Sequence, residues 1–334
     1  MNLFTHVNAT TIAEATTATA KAGAAPIAGG SDLLTYLRTM CSPNPPTSLV
    51  NLKTVVPSMA YIKEEGGFLK VGALTTLTVI ANDSTTLTKY TALAQAALSV
   101  ASPELRNQGT IGGNISQKPR CQYFRFDNDD FKCLRKDPAG ICFALTGVNT
   151  YHSVFGTVNG CVAALPSDIA PVLVAMNANI VTTVKTWKAV DFFVVPNVTD
   201  ARREQINALA AGEIVTEIQI PTPAAGSKSA YMKWSFRKSI DFPLVSAAVL
   251  TTVAGGNVTA ASIVLGAVYG QPRVATGAQT ALVGQAINAT SATAAGTAAA
   301  TGTTVLPTPG GTNSNSYKIQ IIKVMVQKAV LATA

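Results

Sequence analysis

Residues 101–125 have the sequence ASPELRNQGTIGGNISQKPRCQYFR, and they join a glycine turn directly to the first cysteine of a cysteine-rich segment. We call IAGGSDLL, at residues 27–34, the first glycine turn, and GTIGGNIS, at residues 109–116, the second. In each turn one or two apolar residues precede a Gly-Gly pair, and a small polar residue follows it. Glycine allows positive φ and close backbone approach, so the free N–H groups of such a turn can bind an anion. Two such turns in one domain suit a diphosphate gripped from both sides.

These turns do not match the standard nucleotide-binding motifs. Neither has the spacing GxGxxG or the spacing GxxxxGK followed by Ser or Thr, so a Rossmann site and a P-loop are both disfavoured. A Gly-Gly pair taken alone is more often an ordinary turn. Ser31 or Asp32 is the expected N-cap of the helix that begins with Leu33. Four side chains could add hydrogen bonds to an anion: Ser31, Thr110, Asn114 and Ser116.

Length and composition limit the class of protein. A chain of 334 residues predicts two domains, and 48% hydrophobic residues with only 13% charged ones predict a well-buried globular protein. The net charge is +8, but the basic residues are scattered, which disfavours nucleic acid and favours docking to acidic protein surfaces. No run of 18 or more apolar residues occurs, so no membrane span is expected. The amino terminus lacks the pattern of a secretory signal, which leaves bacterial cytoplasm and periplasm both open.

Helices and strands follow one another without a regular βαβ alternation, which predicts the α+β class. Helices are predicted over 11–24, 88–101, 167–178 and Tyr317–Ala332. Strands are predicted over 47–55, 178–187, 213–221, Ala230–Phe236, Leu244–Ala254 and Ala261–Ala267, with a hairpin over 59–73 and a loop at Pro307–Asn315. Residues 222–229, TPAAGSKS, have the composition of a linker. The predicted domains are therefore 1–221 and 230–334.

Four of the five cysteines, Cys121, Cys133, Cys142 and Cys161, lie within 41 residues, whereas Cys41 is remote. Buried free thiols, disulfides and a metal centre would each explain them. The intervals of eleven, eight and eighteen residues contain neither the close pairs typical of zinc sites nor a ferredoxin spacing. Spacing alone therefore leaves a metal centre held by loops unidentified. His152 lies inside the span as a candidate ligand or a structural residue.

Four ordered segments carry a family resemblance. They are AGGSDLL (28–34), the opening stretch 101–125, CVAALPSDIAPVLVA (161–175) and AYMKWSFRKSIDFPLVSAAV (230–249). Their order and spacing resemble the FAD-binding subunits of the xanthine dehydrogenase, or molybdenum hydroxylase, family. Within it the chain is similar to the FAD subunits of bacterial three-subunit aldehyde oxidoreductases. The resemblance covers nearly the whole chain and is densest over 26–250.

The resemblance implies a fold and its division along the chain. A PCMH-type FAD-binding domain of two α+β subdomains would occupy 1–221, with an iron–sulfur insertion at about 119–161. Residues 222–229 would be the linker. A C-terminal domain of an antiparallel sheet plus helices would occupy 230–334.

The resemblance also implies contacts to FAD. The first turn would wrap the diphosphate through Ile27, Ala28, Gly29, Gly30, Ser31, Asp32 and Leu33, and the second wall would comprise Thr110, Gly113 and Asn114. Asp168 would accept a hydrogen bond from a hydroxyl of the FAD sugar chain, and Val215 would lie against the isoalloxazine. Lys233 would approach the flavin ring, where a cation stabilises the anionic reduced form. On the residues alone, Asp168 is instead a helix N-cap and Lys233 a solvated strand lysine.

A subgroup of the family carries a cysteine-rich insertion with a [4Fe-4S] cluster next to the FAD. The resemblance to that subgroup implies that Cys121, Cys133, Cys142 and Cys161 are the four ligands. The charged residues between them would form a solvated loop around the cluster. These residues are Arg125, Lys132, Arg135, Lys136, Asp127, Asp129 and Asp130.

The function that the resemblance implies is electron transfer, with no catalytic residue for substrate oxidation in this chain. A partner with a molybdenum cofactor would oxidise an aldehyde or N-heterocycle, and electrons would pass through a partner's [2Fe-2S] clusters to FAD and then to an external acceptor. A hydroxybenzoyl-CoA reductase-like subunit, with the reverse flow, and a xanthine dehydrogenase-like subunit are alternatives. Other classes are a disulfide-bonded secreted binding module and a zinc-stabilised scaffold.

Overall fold

The computed structural model describes residues 3–307 and 315–334, so most of the loop expected at Pro307–Asn315 lies outside the described residues. The strands are β1 (Thr5–Asn8), β2 (Ala24–Ile27), β3 (Ser48–Asn51), β4 (Ile62–Glu65), β5 (Phe68–Gly72), β6 (Asn179–Thr182), β7 (Thr186–Lys188), β8 (Val215–Pro221), β9 (Ser227–Trp234), β10 (Val245–Ala254), β11 (Asn257–Gly266) and β12 (Arg273–Val274). The α-helices are α1 (Ile12–Thr19), α2 (Leu33–Arg38), α3 (Leu77–Asn82), α4 (Ser84–Lys89), α5 (Thr91–Ser99), α6 (Pro103–Gln108), α7 (Ile111–Ser116), α8 (Ile169–Ala175), α9 (Ala189–Phe192), α10 (Thr276–Leu282), α11 (Ala289–Ala299) and α12 (Tyr317–Leu331).

The first subdomain is a small parallel sheet in which β1 and β2 both pair with β3. The predicted helix over 11–24 is shorter than expected, because α1 ends at Thr19 and a turn through Gly23, with φ 73°, leads into β2. β2 ends at Ile27 and delivers the chain into the first glycine turn, where Gly30 has φ 71°. The turn therefore lies between a strand and the helix α2.

The second subdomain is an antiparallel five-stranded sheet with the order β4-β5-β8-β6-β7. The predicted hairpin over 59–73 is confirmed as β4 and β5, joined at Gly66 and Gly67 with positive φ. The single strand predicted over 178–187 is wrong, because the chain reverses after Thr182 to form β6 and β7. Helices α3, α5 and α8 pack with this sheet around one apolar core.

The second glycine turn rests on the residues that follow β5. The N–H of Ile111 donates to the carbonyl of Thr75 at 3.0 Å, and the N–H of Gly112 donates to Ala73 at 2.9 Å. Thr110 caps α7, since its hydroxyl accepts from the N–H of Gly113 at 3.1 Å. These bonds anchor the turn to the five-stranded sheet.

The C-terminal domain is an antiparallel sheet in the order β12-β11-β10-β9, covered by α10, α11 and α12. The architecture is the predicted α+β one. The linker expected at 222–229 is shorter than its composition suggested, because β9 begins at Ser227, which pairs with Thr252 on β10. Helix α8 of the first domain packs on β10 and β11, so the two domains share a contact. None of the helices in the described ranges combines the length and the apolarity that crossing a membrane requires.

The insertion at 119–161 is mostly irregular and is held by aromatic contacts. Phe131 packs edge-on against both Tyr123 and Phe143, with ring centroids 5.1 and 5.0 Å apart, and Phe124 stacks on Tyr36 of α2 at 5.8 Å. Aromatic burial supplies the stability that regular hydrogen bonding does not.

The expectation that the charged residues of the insertion are solvated is wrong for three of them. Asp129, Arg135 and Lys136 are buried. The Lys136 ammonium lies 2.6 Å from an Asp129 carboxylate oxygen, so these two charges neutralise each other inside the protein. Arg135 donates to the carbonyls of Pro196 and Gln205. Local sequence could not reveal these partners, since Pro196 and Gln205 are remote.

We expect Gly29→Ala to destabilise the protein, because the new Cβ would lie 2.0 Å from the Gln108 carbonyl oxygen and 3.1 Å from the Gly109 Cα. Both neighbours are backbone, so relief requires the two glycine turns to separate, at a cost of about 1–3 kcal/mol or more. The matched control is Gly277→Ala, whose Cβ would meet only the Ala298 carbonyl at 3.7 Å and the Ala298 Cβ at 3.9 Å. Thermal unfolding should show a lower Tm for Gly29→Ala alone. Equal Tm values for the two variants would contradict the close approach.

Candidate functional site

The two glycine turns, far apart in sequence, form one surface. Gly29 of the first turn lies directly against the backbone of Gln108 and Gly109 at the start of the second turn. The Ser31 hydroxyl is 3.9 Å from the position that a Cβ on Gly109 would take. The structure therefore brings together the two backbone segments that were expected to grip one diphosphate.

Asp32 connects the first turn to the insertion. Its carboxylate accepts a hydrogen bond from the Lys118 N–H at 3.0 Å and lies 2.6 and 2.8 Å from the guanidinium groups of Arg120 and Arg125. The expectation that its side chain caps α2 is wrong, because its backbone is already helical and its carboxylate turns to the insertion. Two guanidinium groups against one carboxylate leave surplus positive charge beside the turns.

The arginine pair has unused hydrogen-bonding capacity. Arg120 Nε and Arg125 Nη1 are buried and have no hydrogen-bond partner among the described residues. Arg120 also lies over the ring of Phe242, 4.5 Å from its centroid, on the segment between β9 and β10. Arg120 therefore links the first turn, the insertion and the C-terminal domain. A buried donor without a partner is costly, which is consistent with a site for an anion.

The second glycine turn is linked to the start of α8 by side-chain hydrogen bonds through Asn114 and Ser167. The Ser167 hydroxyl donates to the Asn114 side-chain oxygen at 2.5 Å and accepts from the Ala170 N–H at 3.0 Å. Ser167, and not Asp168, therefore caps the first turn of α8. The Asp168 carboxylate has other partners.

Asp168 and Lys233 form a buried ion pair at 3.0 Å, with their side chains 3% and 7% exposed. The Tyr231 hydroxyl donates to the second Asp168 oxygen, and Lys233 also donates to the Ser99 carbonyl at 2.8 Å. Neither an N-cap role for Asp168 nor a solvated Lys233 fits these contacts. Burial raises the pKa of Asp168, whereas the Lys233 charge and the Tyr231 hydrogen bond oppose that rise.

Val215 is buried at the start of β8, near the base of the second turn. The carbonyl of the next residue, Thr216, accepts from the Ala73 N–H at 2.9 Å, and the Ala73 carbonyl accepts from Gly112. Val215 thus belongs to the same core as Ile111. Asp168, Val215 and Lys233 thus stand on or next to α8, β8 and β9, and α7 packs on α8 and β8.

One cavity in the insertion is lined by Cys121, Cys133, Cys142 and Cys161 together. Cys41 is not among its lining residues, and all five cysteines are free rather than paired in disulfides. Burial raises the pKa of Cys133 to about 11 and also raises those of Cys121 and Cys161, with smaller contributions from neighbouring sulfurs. These three thiols are therefore stable as neutral groups at pH 7 unless a metal or a cation compensates a thiolate.

No three His, Cys, Asp or Glu side chains within 3–307 and 315–334 are arranged to hold a metal ion. The free thiols disfavour the disulfide-bonded module. The four cysteines nevertheless line one cavity, and a cluster of several irons places its ligands at separate metal atoms.

Arg135 gives the cysteine cavity a buried positive charge. Its side chain lines the cavity, its residue exposure is 2%, and among the described residues it makes no ion pair. Its Nε has no hydrogen-bond partner, and its other nitrogens donate only to carbonyls. A buried cation that forms no ion pair is costly, so four sulfurs beside it suit an anionic, thiolate-bound group.

Comparison with known protein families decides the assignment. Residues 2–223 match the family described as the FAD binding domain in molybdopterin dehydrogenase. The chain belongs to this family. Residues 230–333 match the CO dehydrogenase flavoprotein C-terminal domain. The chain is therefore an oxidoreductase subunit of the molybdenum hydroxylase type with an FAD-binding domain, which confirms the predicted resemblance.

Individual relatives agree with the family. The aldehyde oxidoreductase FAD-binding subunit PaoB of Escherichia coli K12 is 33% identical over 256 residues, which cover 75% of this chain and 78% of the relative. The carbon monoxide dehydrogenase medium chain of Afipia carboxidovorans is 27% identical over 321 residues, which cover 96% of this chain and 92% of the relative. In fold, the flavoprotein matches a chain of the reconstituted CO dehydrogenase from Oligotropha carboxidovorans with a TM-score of 0.74 and 24% identity, covering 100% of this chain and 99% of that one.

Sequence reasoning missed several residues of the site. Tyr231 could have been found, because it lies two residues from Lys233 and strand alternation places both side chains on one face. Arg120 stands next to Cys121 in the opening stretch, but nothing local indicates that it binds Asp32. The contact between His152 Nε2 and the Cys121 sulfur, at 3.1 Å, likewise depends on the folded insertion.

Lys233→Met should strongly destabilise the flavoprotein, because it leaves the Asp168 carboxylate buried without its cation. Breaking a buried ion pair in this way costs about 3–5 kcal/mol. Adding Asp168→Asn should restore part of that loss, since the uncompensated charge is then absent. Denaturant unfolding of both variants measures the difference. The control is Lys70→Met, which breaks an exposed pair with Glu65 at 2.7 Å and should have a much smaller effect. Equal losses for Lys233→Met and Lys70→Met would contradict the buried pair.

Proposed function

We propose that this chain is the electron-transfer flavoprotein subunit of a molybdenum-dependent aldehyde oxidase or dehydrogenase, and that it carries a [4Fe-4S] cluster beside its FAD. The observation that carries the proposal is the pair of adjoining sites. The Arg120 guanidinium binds the Asp32 carboxylate in the first glycine turn, and the next residue, Cys121, lines the cysteine cavity. A single peptide bond therefore joins Arg120, which contacts the first glycine turn, to a residue of the four-thiol cavity.

The FAD would lie along the two turns. Gly29, Gly30 and Ser31 would face its diphosphate from one side, and Thr110, Gly113 and Asn114 from the other. Glycine at these positions keeps the backbone N–H groups accessible, and the surplus charge of Arg120 and Arg125 favours an anion. The other residues of the first turn that would contact the cofactor are Ile27, Ala28, Asp32 and Leu33.

The remaining FAD contacts would come from elements packed on α7. Val215 would lie against the isoalloxazine, and Asp168 would hold a hydroxyl of the sugar chain. Lys233 would lie near the ring, where its charge is held in place by Asp168 and the Ser99 carbonyl. A fixed cation at that edge favours the reduced anionic flavin, which makes the cofactor a better electron acceptor. FAD itself supplies the exchange between two-electron and one-electron transfer.

The cluster would be held by Cys121, Cys133, Cys142 and Cys161, one thiolate for each iron. Arg135 would compensate part of the resulting negative charge, because it lines the same cavity without a carboxylate partner. The cluster supplies one-electron transfer. Cys41 lies outside the cavity and would not be a ligand.

The chain would work with two partners, a [2Fe-2S] subunit and a large subunit with the molybdenum cofactor. The family description as a molybdopterin dehydrogenase and the similarity to an aldehyde oxidoreductase subunit support this assignment. Electrons would pass from the substrate through the partners to FAD here and on to an external acceptor. No residue of this chain would act on the organic substrate.

The test is to purify the chain anaerobically and to measure flavin, iron and sulfide, alone and in the assembled complex. The proposal predicts flavin absorption in both preparations and its bleaching when an aldehyde is added to the complex. If the purified chain contains flavin but neither iron nor sulfide, the cluster assignment is wrong and the FAD assignment stands. Failure of aldehydes to reduce the flavin of the assembled complex would remove the aldehyde assignment.

Serine substitutions separate the cluster ligands from the remote cysteine. Cys133→Ser, Cys142→Ser and Cys161→Ser should each lose most of the iron and sulfide, because a hydroxyl is a poorer ligand for iron than a thiolate. Cys41→Ser is the matched control, since Cys41 is also buried but lies outside the cavity, and it should keep both. Bound flavin should persist in all four variants. Equal iron content in Cys41→Ser and Cys133→Ser would overturn the ligand assignment.

A further inference from the structure

His152 lies on the wall of the cysteine cavity, and its Nε2 is 3.1 Å from the sulfur of Cys121. The residue is 2% exposed. Its backbone N–H donates to the Asn149 carbonyl at 2.9 Å, and its ring packs at a tilt against Tyr123, with centroids 6.3 Å apart. The imidazole is therefore held at the sulfur by the backbone and by an aromatic neighbour.

The segment around His152 is fixed from both sides. The carbonyl of Tyr151 accepts from the buried ammonium of Lys318 at 3.1 Å, and the N–H of Ser153 donates to Val162 at 2.8 Å. Lys318 stands in α12 of the C-terminal domain, and Val162 follows Cys161 directly. His152 thus lies in a segment that is held on one side by the C-terminal domain and on the other by the residue after Cys161, a proposed cluster ligand.

The hydrogen-bonding chemistry of the imidazole ring requires a proton on Nε2, the nitrogen that faces the Cys121 sulfur. Whether it is neutral or protonated, the His152 ring carries an N–H on at least one of its two nitrogens. Nδ1 has no hydrogen-bond partner among the described residues. A thiolate sulfur only accepts hydrogen bonds, so a proton on Nε2 makes an N–H···S bond, whereas a lone pair on Nε2 would face the sulfur and be repelled.

We propose that His152 is a positioning residue of the cluster: its Nε2–H donates to the ligating sulfur of Cys121 and raises the reduction potential. This inference rests on the proposed function, because it requires the [4Fe-4S] cluster. When the cluster takes up one electron, its negative charge grows by one and spreads over its sulfurs. A donor on one sulfur stabilises that charge, and no proton is transferred and no bond breaks. The hydrogen bond also fixes the orientation of the Cys121 ligand.

Three substitutions of His152 separate a hydrogen-bonding role from packing. The Gln amide nitrogen can reach the position of Nε2, the Asn amide nitrogen reaches only that of Nδ1, and Leu has no donor. The full chain with FAD and cluster is titrated anaerobically with dithionite and redox mediators, and the reduced cluster is followed by electron paramagnetic resonance. His6→Gln, on an exposed residue of β1, is the control.

We expect His152→Leu and His152→Asn to lower the equilibrium constant for cluster reduction by roughly tenfold, which is about 59 mV for one electron. His152→Gln and His6→Gln should stay close to the wild type. The wild-type reduced cluster should also show an exchangeable proton coupling in electron–nuclear double resonance that His152→Leu lacks. A role in packing alone would not produce the difference between Gln and Asn.

The outcomes distinguish this inference from the function on which it rests. A wild-type chain without iron would overturn the cluster assignment and this inference with it. A wild-type cluster whose potential is unchanged in His152→Leu would overturn the role of His152 alone. If His152→Leu fails to retain iron, the Gln and Asn variants decide, because equal potentials for these two would refute the hydrogen bond.

Discussion

The approach of Gly29 to the Gln108 carbonyl is the contact on which the rest of the site depends. A Cβ on Gly29 would lie 2.0 Å from that oxygen, so only a hydrogen atom fits between the two turns. Because the turns touch, the small parallel sheet and the five-stranded sheet present one continuous backbone surface. The insertion leaves this surface at Pro119, directly after Lys118 has donated to Asp32. The position of the cysteine cavity relative to the turns therefore follows from a contact between two backbones.

Buried charge is distributed in a pattern that fits two anionic groups. Asp32 faces two arginines, Arg135 lines the cysteine cavity without a carboxylate, and Lys318 is buried with only carbonyl acceptors. Near α8, by contrast, Lys233 is matched by Asp168. Unmatched cations thus stand beside the glycine turns and the thiols, where a diphosphate and a thiolate-bound cluster would supply negative charge. A protein that bound neither group would leave the surplus positive charge beside the turns and the thiols only partly offset.

Much of the fold could be predicted from local pattern, and the failures share one cause. The hairpin over 59–73 and the helix starting at Tyr317 were predicted because alternation and helical spacing are visible within a short window. The turn after Thr182, the early start of β9 and the burial of Arg135 were not, because each depends on partners from remote segments. Within the site, the glycines and cysteines could be identified as types suited to anions and metals. The hydrogen-bond partners of Asp32, Asp168 and His152 could not.

The sequence by itself determined the family, the two glycine turns and the crowding of four cysteines in one insertion, since each is a property of residue type and order. Only the tertiary structure decided that the turns touch, that Asp32 turns away from α2 to the insertion, and that Asp168 pairs with Lys233 instead of capping α8. It also decided that all four thiols share one cavity with His152 and Arg135. The physical reason is that backbone preference is local, whereas the pairing of buried charges and donors is settled by which distant segments the folded core brings within hydrogen-bond reach.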